Sequence, residues 1–179
     1  MTELEYKERE GRSKKLILWF AIISMIMVFA GLTSGYIVSK SRPDWNPFEM
    51  PSAFIISTVI MVVSSITFHL ALKAIKKDNY SQTTLFLLLT LSSGISFLYF
   101  QFEGFNQLVE QNLFLTGPTS NITTQFLYVF VMIHIAHLAG GLISLLIVIY
   151  NHFKQKYNSS QSLGIELSAM FWHFLDFLW

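Results

Sequence analysis

LGIELSAMFWHFLDFLW, residues 163–179, is the stretch on which the reading of this chain turns. It reads as a membrane-spanning helix, yet it carries Glu166, His173 and Asp176. An ionisable side chain at the centre of a bilayer costs about 2.5–3.5 kcal/mol on insertion scales, so it normally faces protein or water and marks a function. Three in one span exceed what a passive anchor needs. The helix therefore calls for companions that shelter them.

Working outward, four more apolar runs stand at 16–38, 53–72, 84–105 and 124–150. The hydrocarbon core is about 30 Å thick and takes about twenty apolar residues of helix. The first three of these runs fit, 124–150 is long enough to tilt or project, and 163–179 is short by a few residues. Pro51 and Ser52 give a helix-start signal before the second run. The expected fold is all-α: a polytopic membrane bundle of five transmembrane helices forming a single membrane domain over 1–179. Composition agrees, with 53% hydrophobic and only 13% charged residues, where a soluble domain carries about a quarter charged. A net charge of +1 leaves no electrostatic footprint for nucleic acid. The absence of cysteine excludes disulfides, iron–sulfur clusters and thiolate metal sites. Residues 1–15 hold four Glu and five Lys/Arg, and the apolar run after them has no small-residue cleavage site, which reads as a retained first span.

Lys and Arg gather on the cytoplasmic side of membrane proteins. Ten of the 12 lie in residues 1–15, in the second loop (Lys73, Lys76, Lys77) and in the fourth (Lys154, Lys156); only Lys40 and Arg42 lie on the other side. The N-terminus is thus expected in the cytoplasm and the end of the fifth helix outside. The third loop, 106–123, is polar, with Gly117-Pro118 as a turn signal. Asn121-Ile122-Thr123 matches a glycosylation acceptor, a pattern too short to carry weight.

Positions three, four and seven apart share a helix face. The first span has Ser24, Gly31 and Gly35; the second Thr58, Ser65 and His69; the third Ser92, Ser96, Tyr99 and Glu103; the fourth His134, His137, Gly141 and Ser144. Gly31 and Gly35 form a GxxxG pair, and Gly140-Gly141 sits in the fourth span; such positions let backbones approach, and small polar residues are where membrane helices commonly pack. Packing alone does not require Glu166 or Asp176, which must be compensated. At 1.5 Å per residue, His134 and His173 lie about 15 Å into their helices, while Glu166 and Glu103 sit near opposite edges. Glu166 and His173 are too far apart to touch, whereas His173 and Asp176 can. The expectation is an interhelical network in which a histidine of the fourth helix satisfies an acid of the third or fifth. His134-x-x-His137 has metal-ligand spacing, but no carboxylate accompanies it on that helix, so a hydrogen-bonded pair is the better reading and no metal site is assigned. No phosphate loop, metal-hydrolase pattern or nucleophile elbow is present, and no catalytic residue is assigned.

The order Gly164-Ile165-Glu166, then Trp172-His173-Phe174-Leu175-Asp176-Phe177-Leu178-Trp179, resembles the last-helix signature of subunit III of the haem-copper respiratory oxidases. The resemblance runs over all five spans. His134-x-x-His137 before Gly140-Gly141 is similar to the family's fourth-helix pattern. Gly94 with Gln101-Phe102-Glu103 resembles its Gln-x-x-Glu run with one residue fewer, Ser64-Ser65-Ile66-Thr67-Phe68-His69 its Ser-x-Thr-x-x-His run, and Ser24 through Tyr36 its first helix. Met25 stands where the family pattern has a buried Glu, so no proton-antenna or voltage-sensitive role carries over to it. Five helices match the shorter bacterial forms; the lipid-filled cleft of the seven-helix members is then either absent or completed by another subunit.

By resemblance, the protein is a subunit of a terminal cytochrome c or quinol oxidase in a bacterial cytoplasmic membrane, without catalysis of its own. It would bind no haem or copper, both held by the catalytic subunit. It would pack beside subunits I and II and membrane phospholipid, within a supercomplex where one forms. It would stabilise the core and support proton uptake. The resemblance assigns a buried network to His134, His137, Glu166, Trp172, His173 and Asp176, joined by Glu103 and His69. Two rivals remain. A bis-His haem b anchor of a quinol oxidoreductase could use His134 or His137 with His173, although helices four and five contain no Arg for propionates. A proton-coupled transporter would also place acids in spans, but no span is broken by Pro.

Overall fold

A computed structural model describes residues 3–117, 120–159 and 161–179. It contains five helices: α1 (Glu3–Ser39), α2 (Ser52–Ile75), α3 (Tyr80–Glu110), α4 (Ile122–Phe153) and α5 (Leu163–Leu178). Four are long and apolar enough to cross a membrane. The fifth has 16 residues within the sequence given, about 24 Å of helix at 1.5 Å per residue.

The surface differs from that of a water-soluble bundle. Phe20 (70% exposed), Ile17 (66%) and Val59 (60%) point outward, while Ser57, Ser64, Thr83, Thr90, Gln101 and Thr124 are wholly enclosed. Large apolar surface is stable outside only where the solvent is lipid, and buried hydroxyls and amides are what hold membrane helices together. The chain is an integral membrane protein.

The helices outrun the apolar stretches. α1 begins at Glu3 rather than Leu16 because its polar first turns carry their own i,i+4 pairs, Glu8–Arg12 at 3.1 Å and Glu10–Lys14 at 2.7 Å. Asn79 caps α3 by accepting from the Gln82 N–H, and Asn121 caps α4 by accepting from the Thr124 N–H at 2.8 Å. The residue that begins the glycosylation-like triplet is therefore a helix cap. Gly117 has φ +113°, a turn conformation suited to glycine; its neighbour Pro118 lies outside the described residues. In the first loop Arg42 grips Asp44 at 2.8 and 2.9 Å and holds that carboxyl below its ordinary range, its own guanidinium being raised in turn.

α2 and α3 form the most extensive pair, joined by Gln101 Nε2 donating to Ser57 Oγ at 2.8 Å and by Thr67 and Thr90 hydroxyls meeting at 2.9 Å. α4 packs on α3 and α5, and α1 packs on α4 and α5. α5 is thereby walled by α1, α2 and α4, with Trp172, Leu175 and Ile165 fully enclosed in the main core. Met25 is buried in that same apolar core.

Candidate functional site

α2 and α5 run antiparallel, and their polar residues meet in rungs down the shared seam. At the basic end Lys76 Nζ lies 3.0 Å from Glu166 Oε1, which also accepts from the Ser162 hydroxyl at 2.9 Å. Further in, the rings of His69 and His173 are 6.3 Å apart. Nδ1 of His173 shares a 2.6 Å hydrogen bond with the Ser65 hydroxyl and lies 4.0 Å from Asp176 Oδ2. Beside it the Trp172 indole N–H donates to Ser64 Oγ at 3.0 Å. At the far end the Trp179 N–H donates to Thr58 Oγ1 at 2.9 Å. Each rung answers a polar group of the short helix at its own depth.

The opposite flank of α5 is built differently. Trp172 sits between two glycines, Gly94 of α3 and Gly141 of α4. A Cβ on Gly94 would stand 3.0 Å from the Trp172 ring and from Leu142, and one on Gly141 would stand 2.9 Å from Leu175. Ser144 donating to Ser168 at 2.9 Å is the one side-chain hydrogen bond between α4 and α5 among the described residues. Gly104 does the same service between α2 and α3, where a Cβ would meet the Phe54 ring at 2.6 Å. Gly164 lies against the Tyr157 hydroxyl.

The expected residues thus divide. Glu166, Trp172, His173, Asp176 and His69 come together along the α2–α5 seam. His134 does not join them. It is buried with neither ring nitrogen hydrogen-bonded, packed between Phe97 at 5.7 Å and Trp179 at 5.0 Å. The expected histidine–acid bridge from α4 is therefore corrected: aromatic rings fill the space where an acid would have to stand. Asp176 likewise has neither oxygen hydrogen-bonded, and His173 Nδ1 stands 4.0 Å from its Oδ2. His137 donates Nδ1–H to the Ile133 carbonyl of its own helix at 2.8 Å and faces Phe29 of α1. Glu103 stays at the surface, accepting a 3.4 Å bond from Asn106.

The glycines divide too. A Cβ on Gly31 or Gly140 would touch nothing within 4 Å, and one on Gly35 would only brush Phe126 at 3.5 Å. The GxxxG pair is consequently not a tight seam inside this chain. Sequence reasoning missed Ser64 and Lys76 as partners of α5, although Lys76, seven residues after His69, continues the stripe that Ser65 and His69 mark. It missed Gln101–Ser57 as well, where a buried amide in a span was the available signal.

The family model for cytochrome c oxidase subunit III matches residues 11–179. The chain is similar to cytochrome c oxidase subunit 3 of Bacillus sp. (strain PS3), 27% identical over 175 residues that take in 95% of this chain and 83% of the relative. It is similar to cytochrome bo(3) ubiquinol oxidase subunit 3 of Buchnera aphidicola subsp. Schizaphis graminum (strain Sg), 28% identical over 178 residues, 97% of this chain and 92% of the relative. With cytochrome c oxidase subunit 3 of Spodoptera frugiperda it is 31% identical over 140 residues, 78% of this chain and 88% of that one. A match of this extent, running from the first helix through the polar seam, makes the chain a member of the cytochrome c oxidase subunit III family.

Proposed function

We propose that the protein is the non-metal accessory subunit of a terminal haem-copper oxidase. It stabilises the catalytic subunit that holds the haem and copper, and it supports proton uptake and lipid binding during aerobic electron transport. The observation that carries this reading is the family match over residues 11–179. The seam gives it a physical form: a short helix rich in polar groups, secured by hydroxyls and one ion pair, is a rigid scaffold rather than a reaction centre. Relatives named for cytochrome c and for ubiquinol match at 27% and 28% identity, in keeping with a donor site on other chains.

In this reading the N-terminus faces the cytoplasm of a bacterium and α5 ends toward the outside. Ten basic residues lie at the end where α1 begins and α2 and α4 finish. That end is drawn together by Lys76–Glu166 and by the Ser159 N–H donating to Asp78 at 2.8 Å. The seam residues Glu166, Trp172, His173, Asp176 and His69 hold α5 in place, with His134 and His137 packed beside them.

The bis-His haem alternative fits the geometry poorly. A porphyrin between α4 and α5 would have to displace Trp172, fully buried against Gly94 and Gly141, and His173 already shares its Nδ1 with Ser65. The test is affinity purification of a tagged chain from gently solubilised membranes, followed by absorption spectra and subunit content. Co-purification with a large haem- and copper-bearing subunit, and no haem on this chain once separated, is expected. Stoichiometric haem that stays with this chain alone would overturn the proposal.

A further inference from the structure

At the basic end, the start of α3 is joined to the end of α4 by one histidine, His152, in the last turn of α4. It lies two residues past the apolar run 124–150 and two before Lys154, at the membrane's edge, yet it is only 2% exposed. Its Nε2 lies 2.8 Å from the Thr84 hydroxyl, and its ring stacks on Tyr80 at 6.1 Å. Thr84 gives its own proton to the Tyr80 carbonyl at 2.9 Å. The ring is therefore the donor to Thr84, and Nδ1 keeps a bare lone pair. That nitrogen is buried with no hydrogen-bond partner. The backbone around the ring is a junction as well. As α4 ends, the His152 carbonyl accepts from the Gln155 N–H at 2.9 Å, with Gln155 at φ +56°. The chain then runs through Tyr157, which lies against Gly164, into α5. Across the joint, Asp78 accepts from the Ser159 N–H at 2.8 Å.

We propose that His152 is a proton-operated latch. Neutral, it locks the end of α4 to the start of α3; a proton taken up at Nδ1 releases that joint and the turn leading to α5. Protonation in place would make a buried cation with an N–H that nothing accepts, and a buried charge must be paired or exposed. Carboxylates of this end are engaged elsewhere: Asp78 with Ser159, Glu166 with Lys76 and Ser162, Glu8 with Arg12, and Glu10 with Lys14. From α3 Tyr80 presents its ring face, and on α4 itself Lys154 lies over the Tyr150 ring at 4.5 Å. Among the described residues, neither helix brings an anion to the ring at this end. Relief comes from solvent, which reaches the chain at the exposed residues Phe153 to Lys156. Once the last turn of α4 unwinds, the ring takes up its proton as an exposed histidine does, near pH ~6.5. The sign follows. The closed joint is held above that pH and loses stability as pH falls below it, because only the open form binds the proton freely. The latch would operate whether or not the oxidase assignment holds.

The chain has no cysteine, so Lys77→Cys in the turn before α3 and Lys156→Cys after α4, both exposed, take a pair of nitroxide labels on the full chain in nanodiscs. Their separation is measured by double electron–electron resonance from about pH 8 down to about pH 5, the range in which histidine changes charge. A single narrow distance is expected at the upper pH. A longer, broader population should grow as pH falls, its ratio to the closed form rising by up to about tenfold per pH unit for one coupled proton. His152→Gln keeps a side-chain N–H for Thr84 but takes up no proton, and should hold the narrow distance throughout. Thr84→Val removes the acceptor of the closed form, and should move the opening to higher pH while leaving it pH-dependent. An unchanged distance in the parent chain across the range would overturn the latch. An opening that persists unaltered in His152→Gln would overturn it too, placing the response on another titrating group. If His152→Gln does not fold, Thr84→Val decides: an opening it leaves at the same pH would show that the His152–Thr84 bond does not hold the joint.

Discussion

The two flanks of α5 hold the same helix by opposite means. Against α2 it is held by hydrogen bonds and one ion pair, each at a set depth. Against α4 it is held by close approach, with glycine backbone under an aromatic ring and a single pair of serines. Lipid supplies no hydrophobic drive between membrane helices, so polar contacts and tight packing are the two resources left. The polar flank fixes how far α5 slides and turns. The glycine flank fixes how near it comes.

Trp172 belongs to both flanks, and its removal should have the largest effect. Trp172→Ala vacates the slot and strips Ser64 of its donor, at an expected cost of about 3–5 kcal/mol, read by denaturation of the chain in detergent. A loss below about 1 kcal/mol would mean the slot collapses and the two flanks are not separate. Gly141→Leu attacks the close flank alone and should cost about 1–3 kcal/mol by overpacking. Gly140→Leu, one residue away with open space before it, should stay within about 0.5 kcal/mol. Equal effects of the two glycines would erase the distinction. On the polar flank, a double-mutant cycle of Ser64→Ala with Trp172→Phe should return about 0.6 kcal/mol and at most about 1.7; zero coupling would reduce that rung to proximity. The smallest effect belongs to Lys76→Met with Glu166→Gln. Their side chains are 51% and 30% exposed, so the pair should contribute about 0.2–1 kcal/mol and fade as salt is raised. A coupling that survives high salt would place the rung away from water.

Helix number and the polar stripes were legible from residues alone, because apolar length and helical period are local properties. Helix ends were less so: α1 starts early because Glu8–Arg12 and Glu10–Lys14 support helix outside the apolar run. Partners were hardest. Ser65 and His69 mark the correct face of α2, but nothing local says that this face meets α5 rather than α3. The pairing of His134 with an acid failed because Phe97 and Trp179, far apart in sequence, close around it. Gly31 and Gly141 look equivalent in a sequence; only the large side chain opposite Gly141 gives one of them a role.

The ladder of rungs also bears on how the chain is made. The ribosome delivers α2 long before α5, so the hydroxyls of Ser64 and Ser65 are already in the bilayer when the segment with His173 and Asp176 leaves the translocon. A central charge costs about 2.5–3.5 kcal/mol on insertion scales, and α5 carries both His173 and Asp176. Its integration should accordingly be conditional. In a co-translational insertion assay, Ser64→Val with Ser65→Val should lower the inserted fraction of α5 while sparing α1 to α4. Unchanged insertion would mean that α5 enters on its own and finds its rungs afterward. The second helix is, in this sense, a receptor for the fifth, built into the same message and read out first.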